Sequence, residues 1–128
     1  MDRGSAAPVA LVVEDDWLIR DDIVFKLRDA GWNVFEASKA EDAISYAEAA
    51  ERVDLLFTDI ELAGSLSGWD LAERFRVVQP ELPVIYTSGN SADRTRSVPG
   101  SVFLSKPYRV AEVVEICRPL LFWAMPSR

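Results

Sequence analysis

Polar side chains able to do chemistry stand in this sequence where apolar runs break off. Glu14 and Asp15 follow Val9-Ala10-Leu11-Val12-Val13, Asp59 ends Val53-Asp54-Leu55-Leu56-Phe57-Thr58, Thr87 ends Val84-Ile85-Tyr86, and Lys106 follows Val102-Phe103-Leu104-Ser105. A lone Asp after such a run commonly begins a polar turn, and one acid suffices to cap a helix. Three consecutive acids, Glu14-Asp15-Asp16, exceed that need. Carboxylates brought close together repel, and they stay ionised when a cation joins them. With oxygen ligands only, Mg²⁺ is the natural cation, one that typically keeps several waters and meets phosphate oxygens. Lys106 adds a point charge for a phosphoryl oxygen, and Thr87 adds a hydroxyl. The chemistry of such a set is phosphoryl transfer to a carboxylate, with the metal and Lys106 neutralising the charge in transit.

These groups cooperate only if the fold collects them. The short, continuously apolar runs read as strands buried on both faces of a parallel sheet. Between them lie helical patterns. Residues 17–30 carry Ile19, Ile23, Leu27 and Ala30 at helical spacing and stop at Gly31. A second strand spans residues 32–37, and Ser38 with Glu41 predicts a capping box for a helix reaching residue 50, with Ala40, Ala43, Ile44 and Ala47 toward the sheet. Ser67 with Asp70 caps a third helix that directs Leu71, Phe75 and Val78 to the core, closed by Pro80 and Pro83. Residues 90–100 are polar and end in Pro99-Gly100, so a helix there is short or absent. A last helix over 108–118 carries Val110, Val113, Val114 and Cys117 on its apolar side. Residues 1–8 have little to bury and read as a frayed lead-in, whereas 119–128 form an apolar tail that Pro119 sets off from the last helix.

Strands alternating with helices predict one α/β domain over residues 1–128. The expected form is a flavodoxin-like (βα)5 three-layer sandwich with parallel strand order 2-1-3-4-5. In that order the carboxyl ends of the first, third, fourth and fifth strands are neighbours, and open α/β sheets bind ligands at that edge.

Composition removes other classes. A net charge of −7 opposes direct nucleic-acid binding, and no apolar run is long enough for membrane insertion. The chain has no histidine, which excludes imidazole bases and Ser-His triads within it. One cysteine and no secretory layout point to a reducing, cytoplasmic setting.

The ordered set VVED, FTD, YTSG and SKP resembles the receiver domain of two-component response regulators over residues 9–117, of the stand-alone, single-domain type. That family includes proteins with the same 2-1-3-4-5 strand order. The resemblance implies that Asp59 is the phosphoacceptor, charged by a histidine kinase or histidine phosphotransfer protein. It implies that Asp15 holds Mg²⁺ directly, Glu14 through water, and that Asp59 and the backbone carbonyl of Glu61 complete the metal site. Thr87 and Phe103 correspond to the switch pair, Lys106 to the phosphate-binding lysine, and Pro107 to a cis peptide. Glu61 and Gly89 correspond to positions at which side chains in the family tune the lifetime of the phosphoaspartate.

The sequence also departs from the common pattern. Phe103 lacks a phenolic hydroxyl, the loop between Asp59 and Gly68 is long, and the stretch from Thr87 to Lys106 is short. Two other functions stay open at this point. One is a Mg²⁺-dependent phosphatase with an aspartyl-phosphate intermediate, although such enzymes carry Asp-x-Asp where this chain has Asp59-Ile60-Glu61; the other is a degenerate receiver that only binds partners. With no effector domain following, output is expected through a downstream regulatory protein or a homodimer, on a face of strand 4, strand 5 and the last helix, with the apolar tail either extending that face or folded back onto the domain as core.

Overall fold

The computed structural model describes residues 7–49, 52–89 and 94–124. Among these residues five strands alternate with four helices: β1 (Val9–Val13), α1 (Trp17–Asp29), β2 (Asn33–Ala37), α2 (Ala40–Glu48), β3 (Leu55–Asp59), α3 (Gly68–Val78), β4 (Val84–Ser88), β5 (Val102–Ser105) and α4 (Val110–Ala124). All pairings are parallel, and the order is β2-β1-β3-β4-β5. This is the expected doubly wound arrangement. β1, β3 and β4 are buried along their whole length because helices cover both faces of the sheet.

Successive side chains of a strand point to opposite faces, so each central strand serves two cores. Leu11, Val13, Leu56 and Tyr86 join Ala40, Ala43, Leu71, Ala72 and Phe75 beneath α2 and α3. Ala10, Val12, Leu55, Phe57 and Ile85 join Ile23, Leu27, Val113 and Cys117 beneath α1 and α4. Register at the amino edge is pinned by Asp54, whose N–H donates to the Val9 carbonyl while its carboxylate accepts from the Val9 N–H at 2.8 Å and from Arg52.

The helix ends follow the caps written in the chain, with one exception. Asp16 caps α1, accepting from the N–H groups of Leu18 and Ile19, and Gly31 follows with φ 111°. Ser67 and Asp70 form a reciprocal capping box on α3. The box expected from Ser38 and Glu41 does not form. α2 starts after Lys39 with no side-chain cap, because the Glu41 carboxylate instead accepts from the N–H and hydroxyl of Ser65, bracing the loop that follows Asp59.

Three further expectations are corrected. Val78 does not reach the core: it is 81% exposed, and α3 buries Trp69 and Ala72 beside Leu71 and Phe75 instead. The last helix does not stop at Arg118. α4 carries Pro119 within it and remains helical to Ala124, so the loss of one backbone donor is tolerated there and the apolar tail begins as helix. At the other end, Ala7 and Pro8 are not frayed, since their carbonyls accept from the side chain and backbone of Asn33. The rest of the lead-in, residues 1–6, and of the tail, residues 125–128, lies outside the described residues. Between β4 and β5, the described part of the connection holds a single 3₁₀ turn, Arg94–Arg96, in agreement with a short or absent helix.

Candidate functional site

The ladder carries on past the strand ends, and that continuation levels the chemistry along one edge. Asp59 pairs with Thr87, Ser88 with Ser105, and Val13 with Thr58. Just beyond, the Glu14 N–H donates to the Ala37 carbonyl, Ile60 to Thr87, and Lys106 to Ser88 at 2.8 Å. Glu14, Asp59, Thr87 and Lys106 therefore leave four strands at one height, as the sequence expects. The Lys106–Pro107 peptide is cis, as the resemblance implies.

The Lys106 ammonium donates to Asp59 Oδ2 at 2.9 Å and lies 3.3 Å from Glu14 Oε1. Glu14 and Thr87 are wholly buried, and Asp59 is 3% exposed. Side-chain oxygens of Glu14, Asp15 and Asp59 lie within 4.8 Å of one another, with Asp15 exposed at the mouth. One cation serves two buried acids, so negative charge is in excess. Burial pushes the Asp59 carboxyl above its usual range, with Lys106 opposing and the Glu61 carboxylate adding to the rise. Burial likewise raises Glu14, to about 7, helped by the charge of Asp59 and opposed by the Asp16 N–H and Lys106. Burial works against the Lys106 ammonium, but its bond to Asp59 and the charge of both acids hold it charged above the ordinary lysine value.

Two oxygens of this cluster are left over once the protein's own bonds are assigned. Asp59 Oδ1 and Thr87 Oγ1 are buried without a hydrogen-bond partner, and Glu14 Oε1 has only the Lys106 ammonium 3.3 Å away. Such groups cost about 1–3 kcal/mol each when left unsatisfied. Hard oxygen donors carrying excess negative charge fit a divalent cation of the Mg²⁺ type, and the free Thr87 hydroxyl fits an incoming anion's oxygen.

Several residues shape this site that pattern along the chain does not single out. A Cβ on Gly68 would sit 2.2 Å from the Asp59 carbonyl oxygen, so α3 packs its first residue directly on the backbone of Asp59. The signal is a glycine, a poor helix former, placed straight after the Ser67 cap. The Ser88 hydroxyl lies 3.0–3.1 Å from both carboxylate oxygens of Glu61 and donates its one hydrogen to that carboxylate, which holds the side chain beside the strand end. Tyr108 is packed edge-on to Phe57 with its hydroxyl buried and unpartnered, and burial plus the charges of Glu14 and Asp59 push its pKa up. Phe103 is half-buried, stacked 6.4 Å from Trp69, with the Arg94 guanidinium 4.0 Å over its ring.

A doubly wound parallel sheet whose carboxyl edge gathers two buried acids, an exposed third, a lysine and a free hydroxyl defines the receiver class of signalling domain. The chain belongs to the response regulator receiver domain family, which it matches over residues 10–118. It is 32% identical over 126 residues to the probable transcriptional regulatory protein TcrX of Mycobacterium tuberculosis, a match that covers 94% of this chain and 53% of that one. It is 30% identical to the phyllosphere-induced regulator PhyR of Methylorubrum extorquens, over 92% of this chain and 45% of PhyR. The chain thus spans about half the length of these relatives. Among solved structures, a response regulator receiver protein from Sinorhizobium medicae superposes with a TM-score of 0.85 at 29% identity, covering 92% of this chain and 97% of that one. The receiver domain of the hybrid histidine kinase CckA gives 0.75 at 30% identity, covering 88% and 98%.

Proposed function

We propose that this receiver domain is a phosphorylatable switch in which Asp59 accepts a phosphoryl group from a partner's phosphohistidine. One observation carries the reading: Lys106 occupies Asp59 Oδ2, while Oδ1 is buried, unpartnered and free to attack. Oδ1 forms the new bond to phosphorus as the bond to the partner's imidazole nitrogen breaks, and that nitrogen keeps the electron pair. Lys106 then holds an oxygen of the reacting group, and Thr87 has a hydroxyl to donate to another. Glu14, Asp15 and Asp59 are the side chains that would hold Mg²⁺, with the Glu61 carbonyl as the fourth group; the ion supplies neutralisation of phosphoryl charge. These 128 residues contain no histidine, so in this reading the donor is the phosphohistidine of a histidine kinase or a histidine phosphotransfer protein outside them.

The surface beside the mouth suits such a donor. α1 begins one residue after Asp16 and exposes Trp17, Leu18 and Phe25, each by more than three-fifths, among Asp21, Asp22 and Asp29. An apolar stripe of this kind favours a partner helix with an apolar face, and its charged rim is mixed, since Lys26 pairs with Asp22. Output through a downstream regulatory protein or a homodimer, on the β4, β5 and α4 face, completes the reading, and a reducing cytoplasmic setting suits the lone buried Cys117.

Intact-mass spectrometry after acetyl phosphate treatment tests the core of this reading. The wild type should gain one phosphoryl mass only when Mg²⁺ is present, and Asp59→Asn should gain none. Equal labelling of the two proteins would sink the assignment.

A further inference from the structure

The turn that carries the acidic pair is held more tightly than capping requires. The Glu14 N–H is fixed by the Ala37 carbonyl of β2 at 3.1 Å. The Glu14 carbonyl accepts from Arg20 Nη1 at 2.7 Å, and Arg20 Nε donates to Glu36 Oε1, also of β2, at 3.0 Å. The Glu14 carboxylate accepts from the Asp16 N–H at 3.1 Å, and the Asp16 carboxylate is spent on the N–H groups of Leu18 and Ile19. Residues 14 and 16 are thus bonded in both backbone and side chain. Asp15 between them is exposed and makes no hydrogen bond among the described residues.

Arg20 stands out in this arrangement. Its side chain is only 20% exposed, and its planar fork spans two elements, with one nitrogen on the β1–α1 turn and another on β2. A surface arginine kept for helix stability would find an acid one turn away on its own helix. This one reaches instead past the helix start to a main-chain carbonyl on the peptide that joins Glu14 to Asp15.

We propose that Arg20 is a positioning residue of the metal site: by holding the Glu14 carbonyl against Glu36, it fixes the Glu14–Asp15 peptide and so sets where both acids present their oxygens to a divalent cation. The inference rests on the Mg²⁺ reading above. Groups beyond the ligands orient those ligands, and removing such a group typically lowers metal affinity by a factor of about ten or more. A turn left unclamped must be ordered at the moment of binding, which weakens binding without changing the ligand set.

Thermal unfolding across a MgCl₂ series separates this role from plain stabilisation. The melting temperature without Mg²⁺ reads structure, and its rise with Mg²⁺ gives an apparent dissociation constant. Arg20→Ala should weaken Mg²⁺ about tenfold. Arg20→Lys, which offers a point donor in place of a fork, should fall between Arg20→Ala and wild type. Glu36→Ala, at a half-exposed edge position that leaves the turn's own bonds in place, should weaken Mg²⁺ several-fold even if Arg20→Ala fails to fold. An Arg20→Ala or Glu36→Ala protein that melts lower than wild type but binds Mg²⁺ with wild-type affinity overturns the proposal. A wild type that ignores Mg²⁺, or an Asp15→Asn variant that binds it as wild type does, removes the metal reading itself and this inference with it.

Discussion

Burial of Glu14 should cost the fold stability, and the cost should show as a pH dependence of stability. It is wholly buried with Asp59 and Lys106 beside it, and burial raises its carboxyl from the ordinary 4.5 to about 7. A carboxyl raised in the folded chain keeps a proton that the unfolded chain has already released. Its contribution is therefore fully present below about pH 4.5 and is lost as the pH rises through about 7. At about 1.4 kcal/mol per pH unit, the loss amounts to about 3 kcal/mol. Glu14→Gln removes the charge and keeps an oxygen for the Asp16 N–H. Urea denaturation in metal-free buffer should find the variant close to wild type at about pH 5 and more stable by up to about 3 kcal/mol at about pH 8.5. Adding MgCl₂ at the higher pH should stabilise the wild type and leave the variant little changed. A gain of the same size at both pH values would refute the argument, because it would come from packing or helix capping and not from a buried charge.

Two other expectations follow from contacts at the same edge of the sheet. Gly68→Ala ought to gain helix propensity, but its new methyl would meet the Asp59 carbonyl oxygen at 2.2 Å, so α3 must shift. Overpacking of that kind costs about 1–3 kcal/mol, enough to outweigh the propensity gain; an Ala variant as stable as wild type in urea would show that α3 can move freely. Phe25→Asp, on the exposed face of α1, should slow phosphoryl transfer from a cognate phosphohistidine protein at least tenfold while leaving labelling by acetyl phosphate unchanged, measured as initial rates by mass spectrometry. Equal slowing with both donors would place the defect inside the site.

What the sequence made legible was whatever depends on local pattern. Unbroken apolar runs such as Leu55-Leu56-Phe57 announced strands covered on both faces, and the abrupt acids after them announced the edge where chemistry collects. Caps whose partners lie within one turn were equally readable, as at Ser67 with Asp70. The failures share a cause. Glu41 has the spacing of a capping residue but finds a better use 24 positions away at Ser65, and Arg20 reaches a carbonyl on another element. Val78 keeps the helical phase of a core residue, yet it is the last residue of α3 and faces solvent. Pro119 removes a donor but leaves both flanks of α4 helical, with Val113 and Cys117 seated on α1 and the sheet before it. Pattern fixes an element's phase, and only packing fixes its length and its long-range partners.

The described part of the connection from β4 to β5 holds a 3₁₀ turn, and it is fastened by side chains. Arg96 bonds both Asp70 and Glu73 of α3, and Arg76 of α3 donates to the Pro99 carbonyl at 2.8 Å. Arg94 lies over Phe103, and the Val98 N–H donates to the Tyr86 hydroxyl. Among the described residues of this strap, Val98 alone is buried. Exposed ion pairs contribute little one at a time, so the strap depends on arginines that each hold two acceptors or a ring, and not on an apolar face. Segments fastened in this way open at lower cost than the cores beside them. Its two ends are attached to the strand carrying Thr87 and the strand carrying Phe103. If Thr87 moves toward a bound phosphoryl group, as the proposed switch requires, the Phe103 ring that Arg94 covers lies on the strand at the other end of this strap.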